Sequence, residues 1–235
     1  MESAARPGRE DSRRDLMDVA INCFAKYGFQ ATSIDRIAKA AGVTKGALYY
    51  HFKDKEDLLF EAVKNRVGQF ERRVVGDLPA TSDAPSALRQ LARVCYDHAT
   101  KSNHRRLIVT LMVEALDTNP RLAAHFRGMM HRFREFLRGI VRRGQQSGEL
   151  RADVDPAVAA EVYAGAVMGA EIQYYQDPKG FDLAATLDAF VEQHIGWLAA
   201  PARNGAGHNG HTGRRAVPRG RAGAGASASA SARRK

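Results

Sequence analysis

Apolar side chains in this chain recur at steps of three and four residues from Leu16 to Trp197, the period of one face of an α-helix. Leu16, Val19, Ala20, Cys23, Phe24 and Tyr27 mark a first helix from about Ser12, stopped by Gly28. Ile34, Ile37, Ala38 and Ala41 form the inner face of a short second helix, with Thr32 or Ser33 to cap it and Gly42 to end it. Thr44 caps a third, in which Leu48 and Phe52 face inward. Asp54 then opens a long helix carrying Leu58, Leu59, Ala62, Val63, Val67 and Phe70, which fades between Gly76 and Pro79. Two further periodic segments span 85–101 and 105–118. Asn119-Pro120 and Asp155-Pro156 each place a capping side chain before a proline, and open helices over 120–144 and 156–175. Asp182 caps a last helix ending near Ala199. No segment alternates as a strand does and no fixed repeat is found, so an all-α fold of about nine helices is expected.

One stretch carries chemistry as well as period. Thr32–Leu58, TSIDRIAKAAGVTKGALYYHFKDKEDL, reads as two short helices around a tight turn and the start of a third. With Leu48 and Phe52 turned inward, Lys45, Gly46, Tyr49 and Tyr50 lie on the opposite flank. Gly46 and Ala47 let a backbone approach a duplex closely. The tyrosine hydroxyls, His51 and Lys55 suit phosphate oxygens, and Lys45 can also reach a guanine edge. Amides at the helix start near Asp54 would add phosphate donors. This is the layout of a helix-turn-helix that enters a major groove.

Net charge alone would not have led there. The chain carries +10, but residues 201–235 hold eight of the cations and no carboxylate, leaving +2 for residues 1–200. That tail is rich in Gly, Ala, Ser and Arg, has Val217 as its one large apolar side chain, and is expected to be disordered. Within it Pro218-Arg219-Gly220-Arg221 resembles part of an AT-hook, although a solvated basic tail is the simpler reading; His208 and His211 are too few for a metal site. Cys23 and Cys95 sit in apolar helical patterns and read as reduced core residues, in keeping with a cytoplasmic protein. The first fourteen residues are polar, residues 1–11 being expected as a flexible arm, and no apolar run is long enough to span a membrane.

The segment from about Arg13 to Phe60 resembles the DNA-binding region of the tetracycline-repressor (TetR) family of bacterial transcription regulators. The resemblance rests on Ala20, Phe24, Tyr27-Gly28-Phe29, Thr32-Ser33-Ile34, Ile37-Ala38, Ala41-Gly42-Val43, Gly46-Ala47-Leu48-Tyr49-Tyr50-His51-Phe52 and Lys55-Glu56-Asp57-Leu58-Leu59. It implies a homodimer, with a DNA-binding domain over 12–58 and a helical effector-binding and dimerisation domain over 59–200. It further implies that Thr44, Lys45, Gly46, Ala47, Tyr49, Tyr50, His51 and Lys55 contact DNA, and that Thr32 or Ser33 touches a phosphate. The small residues Gly165, Ala166, Gly169 and Ala170, with Phe190, Ile195 and Trp197, are then the candidate dimer surface.

A small-molecule effector would lie between the middle helices. Met112, Phe126, Met129, Met130 and Phe133 are candidates for a pliable apolar lining, and Glu114, His131, Glu171, Gln173 and Tyr174 for polar contacts. The most direct function is a repressor released by its ligand from a palindromic operator on double-stranded DNA. An architectural DNA-coating protein is the alternative. An enzyme is the weakest reading, since the chain has no phosphate loop, nucleophile elbow, metal-ligand cluster or Cys–His arrangement, and no cofactor is expected.

Overall fold

In the computed structural model, which describes residues 9–77, 83–102 and 104–200, nine helices follow one another among the described residues. They are α1 Arg9–Tyr27, α2 Ile34–Ala41, α3 Lys45–His51, α4 Lys55–Asp77, α5 Ala84–Lys101, α6 Arg105–Thr118, α7 Pro120–Ser147, α8 Pro156–Gln176 and α9 Leu183–Leu198. The only β pairing there is a single antiparallel bridge between Leu150 and Ala199. The expectations for the tail beyond residue 200 lie outside the described residues.

The helix starts follow local chemistry. Thr44, Asp83, Asn119, Asp155 and Asp182 each accept a backbone N–H with the side chain, a contact worth about 1 kcal/mol per helix. Ser33, not Thr32, caps α2: its Oγ accepts from the Arg36 N–H at 3.2 Å. At the α4 start Asp54 accepts from the Asp57 N–H at 2.7 Å.

Three boundaries differ from expectation. α1 begins at Arg9, so the last residues of the expected arm are helical. α5 starts at Ala84, directly after its Asp83 cap and one residue before the expected Pro85. α7 does not stop at Gly144 but runs to Ser147, where Gly148 takes the left-handed conformation at φ 79°. Gly144 instead permits a close approach, because a Cβ there would lie 2.6 Å from the Ala84 Cβ and 2.7 Å from the Leu150 side chain.

Two apolar clusters form the core. The first joins Leu16, Ala20, Ile21 and Phe24 of α1 to Ile37, Leu48, Phe52 and the α4 residues Leu58, Leu59, Ala62 and Val63. It continues into Ile108 and Leu111 of α6 and Leu122 and Phe126 of α7. The second lies between α5, α7, α8 and α9, where the fully buried Tyr163 donates its hydroxyl to the Leu88 carbonyl at 2.8 Å. Both cysteines are buried free thiols, and burial pushes the Cys95 thiol up to about 12. α4 runs unbroken past residue 58, so a domain boundary drawn there falls inside a helix that serves both regions.

Candidate functional site

The turn between α2 and α3 depends on Gly42. Its φ of 66° lets its N–H reach the Ala38 and Lys39 carbonyls, a backbone state that L side chains rarely adopt. Leu48 and Phe52 are 1% and 3% exposed and fix α3 against the core. The opposite face is left to solvent: Thr44, Lys45 and Gly46 are exposed, and Tyr49 and Tyr50 are 50% and 64% exposed. A Cβ at Gly46 would meet only Thr44 Oγ1, at 3.8 Å. Ala47 is half-buried, and the His51 ring packs edge-on to Tyr50 at 5.0 Å. Lys45 Nζ lies 3.1 Å from Asp35, a fully solvated pair that an incoming phosphate can displace at little cost.

Two of the residues read as DNA contacts are otherwise engaged. Thr32 is 1% exposed, and its hydroxyl donates to the Gly28 and Cys23 carbonyls at 2.6 and 3.3 Å; it ties the α1–α2 loop shut. Lys55 is half-buried, donates to the Phe29 carbonyl at 3.1 Å and sits 4.3 Å over the Phe29 ring. At the α4 start, two backbone amides are already in use. Asp57 N–H goes to Asp54, and Lys53 N–H to the Asp57 carboxylate at 3.2 Å. Nearby, Arg36 and Lys53 are both exposed. The Arg36 guanidinium lies 4.4 Å over the ring of Tyr27, itself 42% exposed. Arg36 was legible in principle, since the Ile34, Ile37 and Ala41 stripe turns it outward.

The body contains a cavity of about 600 Å³. Phe70 and Val74 of α4, Cys95 of α5, Met129, Met130, Phe133 and Phe136 of α7, and Ala164, Val167 and Met168 of α8 line it. Its charged groups are Glu71, Arg72, Arg132 and Arg105. Arg132 pairs with Glu71 at 2.8 Å. Arg105 and Glu171 are 6% and 1% exposed, and Arg105 Nε and Nη2 both donate to Glu171 Oε2, at 3.0 and 2.5 Å. Burial opposes the guanidinium charge, but the adjacent carboxylate outweighs it and raises the Arg105 pKa.

Of the residues proposed for this lining, Met129, Met130 and Phe133 are there. Glu171 stands behind the wall, bonded to Arg105. Phe126 and Met112 pack in the N-terminal cluster instead. Glu114, His131 and Gln173 are exposed, and Tyr174 is half-buried with its ring 5.4 Å from Tyr175. The contribution of α4 was missed because a stripe facing a cavity has the same period as one facing a filled core.

On the far side of α8, Val158 and Val162 are 47% and 45% exposed. Added Cβ atoms at Gly165, Gly169 and, on α9, Gly196 would meet nothing within 4 Å, and Trp197 is 40% exposed beside them in sequence. The surface is narrower than expected. Ala166 is half-buried, Ala170 and Ile195 are buried in the chain's own core, and Phe190 packs edge-on against Tyr163 at 5.3 Å.

A helix-turn-helix with an exposed lysine–tyrosine face, set on a larger helical body with a cavity between its helices, defines a DNA-binding transcriptional regulator. A family model described as bacterial regulatory proteins, tetR family, matches residues 16–62, and one described as tetracyclin repressor-like, C-terminal domain, matches residues 78–172. The chain belongs to the TetR family. It is 28% identical over 179 residues to the fatty acid metabolism regulator protein of Bacillus subtilis (strain 168), a match covering 75% of this chain and 90% of that one. It is 28% identical over 192 residues to the HTH-type transcriptional repressor KstR2 of Rhodococcus jostii (strain RHA1), covering 80% and 89%. A solved structure of the transcriptional regulator FadR from Bacillus subtilis in complex with stearoyl-CoA superposes with a TM-score of 0.67 at 25% identity, over 78% of this chain and 98% of that one. Among the described residues no helix is long and apolar enough to cross a membrane.

Proposed function

We propose that this protein is a cytoplasmic repressor that binds a two-fold-symmetric operator as a homodimer and leaves it when a small, largely apolar molecule fills the α4–α8 cavity. The observation that carries the proposal is the double duty of α4. Its first half, through Leu58, Leu59 and Val63, builds the core under α3; its second half, through Phe70 and Val74, is a wall of the cavity. A guest that shifts the wall therefore acts on a rigid rod that ends beneath the DNA-facing helix. The stearoyl-CoA complex of a structurally similar regulator supports a cavity of this kind holding a lipophilic guest.

In a symmetric dimer the two α3 helices must sit about 34 Å apart to meet successive major grooves. Ligand and DNA then favour different spacings of the same dimer. Moving such an equilibrium from 1:99 to 99:1 takes about 5.5 kcal/mol of differential affinity. Thr44, Lys45, Gly46, Ala47, Tyr49, Tyr50 and His51 form the reading face, with Ser33, Arg36 and Lys53 at its rim.

The test is in vitro selection from a random double-stranded library, followed by footprinting on the enriched sequence. A discrete palindromic footprint, lost in the Lys45→Ala/Tyr49→Ala variant, is the expected result. Uniform protection without a preferred sequence would favour a DNA-coating protein and reject the repressor.

A further inference from the structure

We infer that a second, smaller cavity is a subsite for the anionic head group of an amphiphilic effector, and that filling it loosens α1. The inference rests on the ligand-responsive reading above and adds the ligand's chemical class. The cavity, of about 200 Å³, lies where α4, α5 and α6 meet. It shares Phe70, Arg105 and Met129 with the apolar cavity, so the two spaces are neighbours across one wall. The first offers hydrocarbon surface. The second is lined by Arg66, Arg73, Arg105, His98 and His104.

Carboxylates lie against all three arginines: Asp18 is 3.1 Å from Arg66, Asp97 is 3.7 Å from Arg73, and Glu171 pairs with Arg105. Asp97 is shared with Lys101, which lies closer at 2.8 Å. His98 stacks on Phe70 at 4.3 Å, and its Nδ1 is buried without a hydrogen-bond partner. Burial first, and then the charges of Arg105, Arg73 and His104, push His98 down to about 3; the space is one in which a further positive charge is disfavoured. A carboxylate or phosphate head with its alkyl chain in the larger cavity satisfies both halves, and arginine suits such oxyanions through paired N–H donors.

Two wall residues of this subsite also contact α1. Arg66 pairs with Asp18, and His104 Nε2 lies 2.7 Å from Asn22 Oδ1. Asp18 and Asn22 are four residues apart on one face of α1, whose other face, with Leu16, Ala20 and Phe24, packs beneath α2 and α3. An anion that draws Arg66 into the cavity takes it from Asp18, and the DNA-binding unit loses an anchor to α4.

Calorimetric titration of the full-length protein with dodecyl phosphate, dodecanoate and dodecanol, below micellar concentrations, tests this. At least one of the two anions should bind tenfold or more tightly than dodecanol. Arg73→Gln and Arg66→Gln should each cut that preference below threefold, and Arg73→Gln alone decides the matter if the second variant fails to fold. Dodecyl phosphate, but not dodecanol, should speed amide exchange across residues 16–27 at least fivefold. Equal affinity of anions and dodecanol, or a preference that survives in Arg73→Gln, overturns the subsite while leaving the apolar cavity as the effector site. No binding by any of the three overturns both, and unchanged exchange in α1 overturns the link to DNA binding.

Discussion

At Gly144 the chain has no room for one more methyl group. The atoms that a Cβ would meet are the Ala84 Cβ, which cannot rotate away, and the buried Leu150 side chain. Alanine at a helix interior is normally preferred over glycine by about 1 kcal/mol, whereas overpacking a closed core costs about 1–3 kcal/mol. The overlap should win. Gly144→Ala is expected to lower the urea midpoint with an unchanged m value. Gly139→Ala, on the same helix, should raise it, because a Cβ there meets only the mobile end of Arg143 at 3.7 Å. If both variants shift the midpoint the same way, the close approach of α5 and α7 is not what selects glycine.

Between elements, the Arg105–Glu171 pair is the contact with most at stake, because it joins α6 to α8 in a buried setting. Removing one member of such a pair strands the other charge and costs about 3–5 kcal/mol, while replacing both with apolar groups is often neutral. Glu171→Leu alone should therefore be strongly destabilising, and Arg105→Leu/Glu171→Leu should recover most of the loss, as measured by a double-mutant cycle in urea. A double variant as unstable as the single one would show that the pair does more than neutralise itself. Much of the element order was legible, because caps and prolines act locally: Asn119-Pro120, Asp155-Pro156 and Asp182 open α7, α8 and α9 where expected. The cavity was legible only in part. Met129, Met130 and Phe133 were found from their chemistry, but which side of α4 faces the cavity depends on how five helices splay. Arg105 read as no more than the first residue of a helix. The carbonyl bonds of Thr32 and Lys55 were not legible, because a hydroxyl or ammonium beside such a helix looks the same in sequence whether it faces solvent or a backbone carbonyl of its own chain.

At the scale of the whole molecule, an apolar stripe on α8 remains uncovered among the described residues. Val158, Val162, Gly165 and Gly169 succeed one another at steps of four, three and four along α8, each open to solvent or with space above its backbone. Such a stripe lets two helices approach closely, and a second copy placed by a two-fold axis would cover it in both chains at once. The same axis would pair two reading helices, each too small on its own to bind one site tightly; joining them makes the second contact intramolecular. Gly165→Arg tests this cleanly, since nothing lies within 4 Å of the position and the folded subunit can carry the side chain outward. The variant should keep its far-UV circular dichroism, sediment as a single subunit where the parent sediments as two, and lose operator affinity by at least a hundredfold with α3 untouched. A variant that still sediments as a pair would move the dimer surface away from α8, and one that separates yet binds the operator undiminished would show that a lone helix-turn-helix is enough.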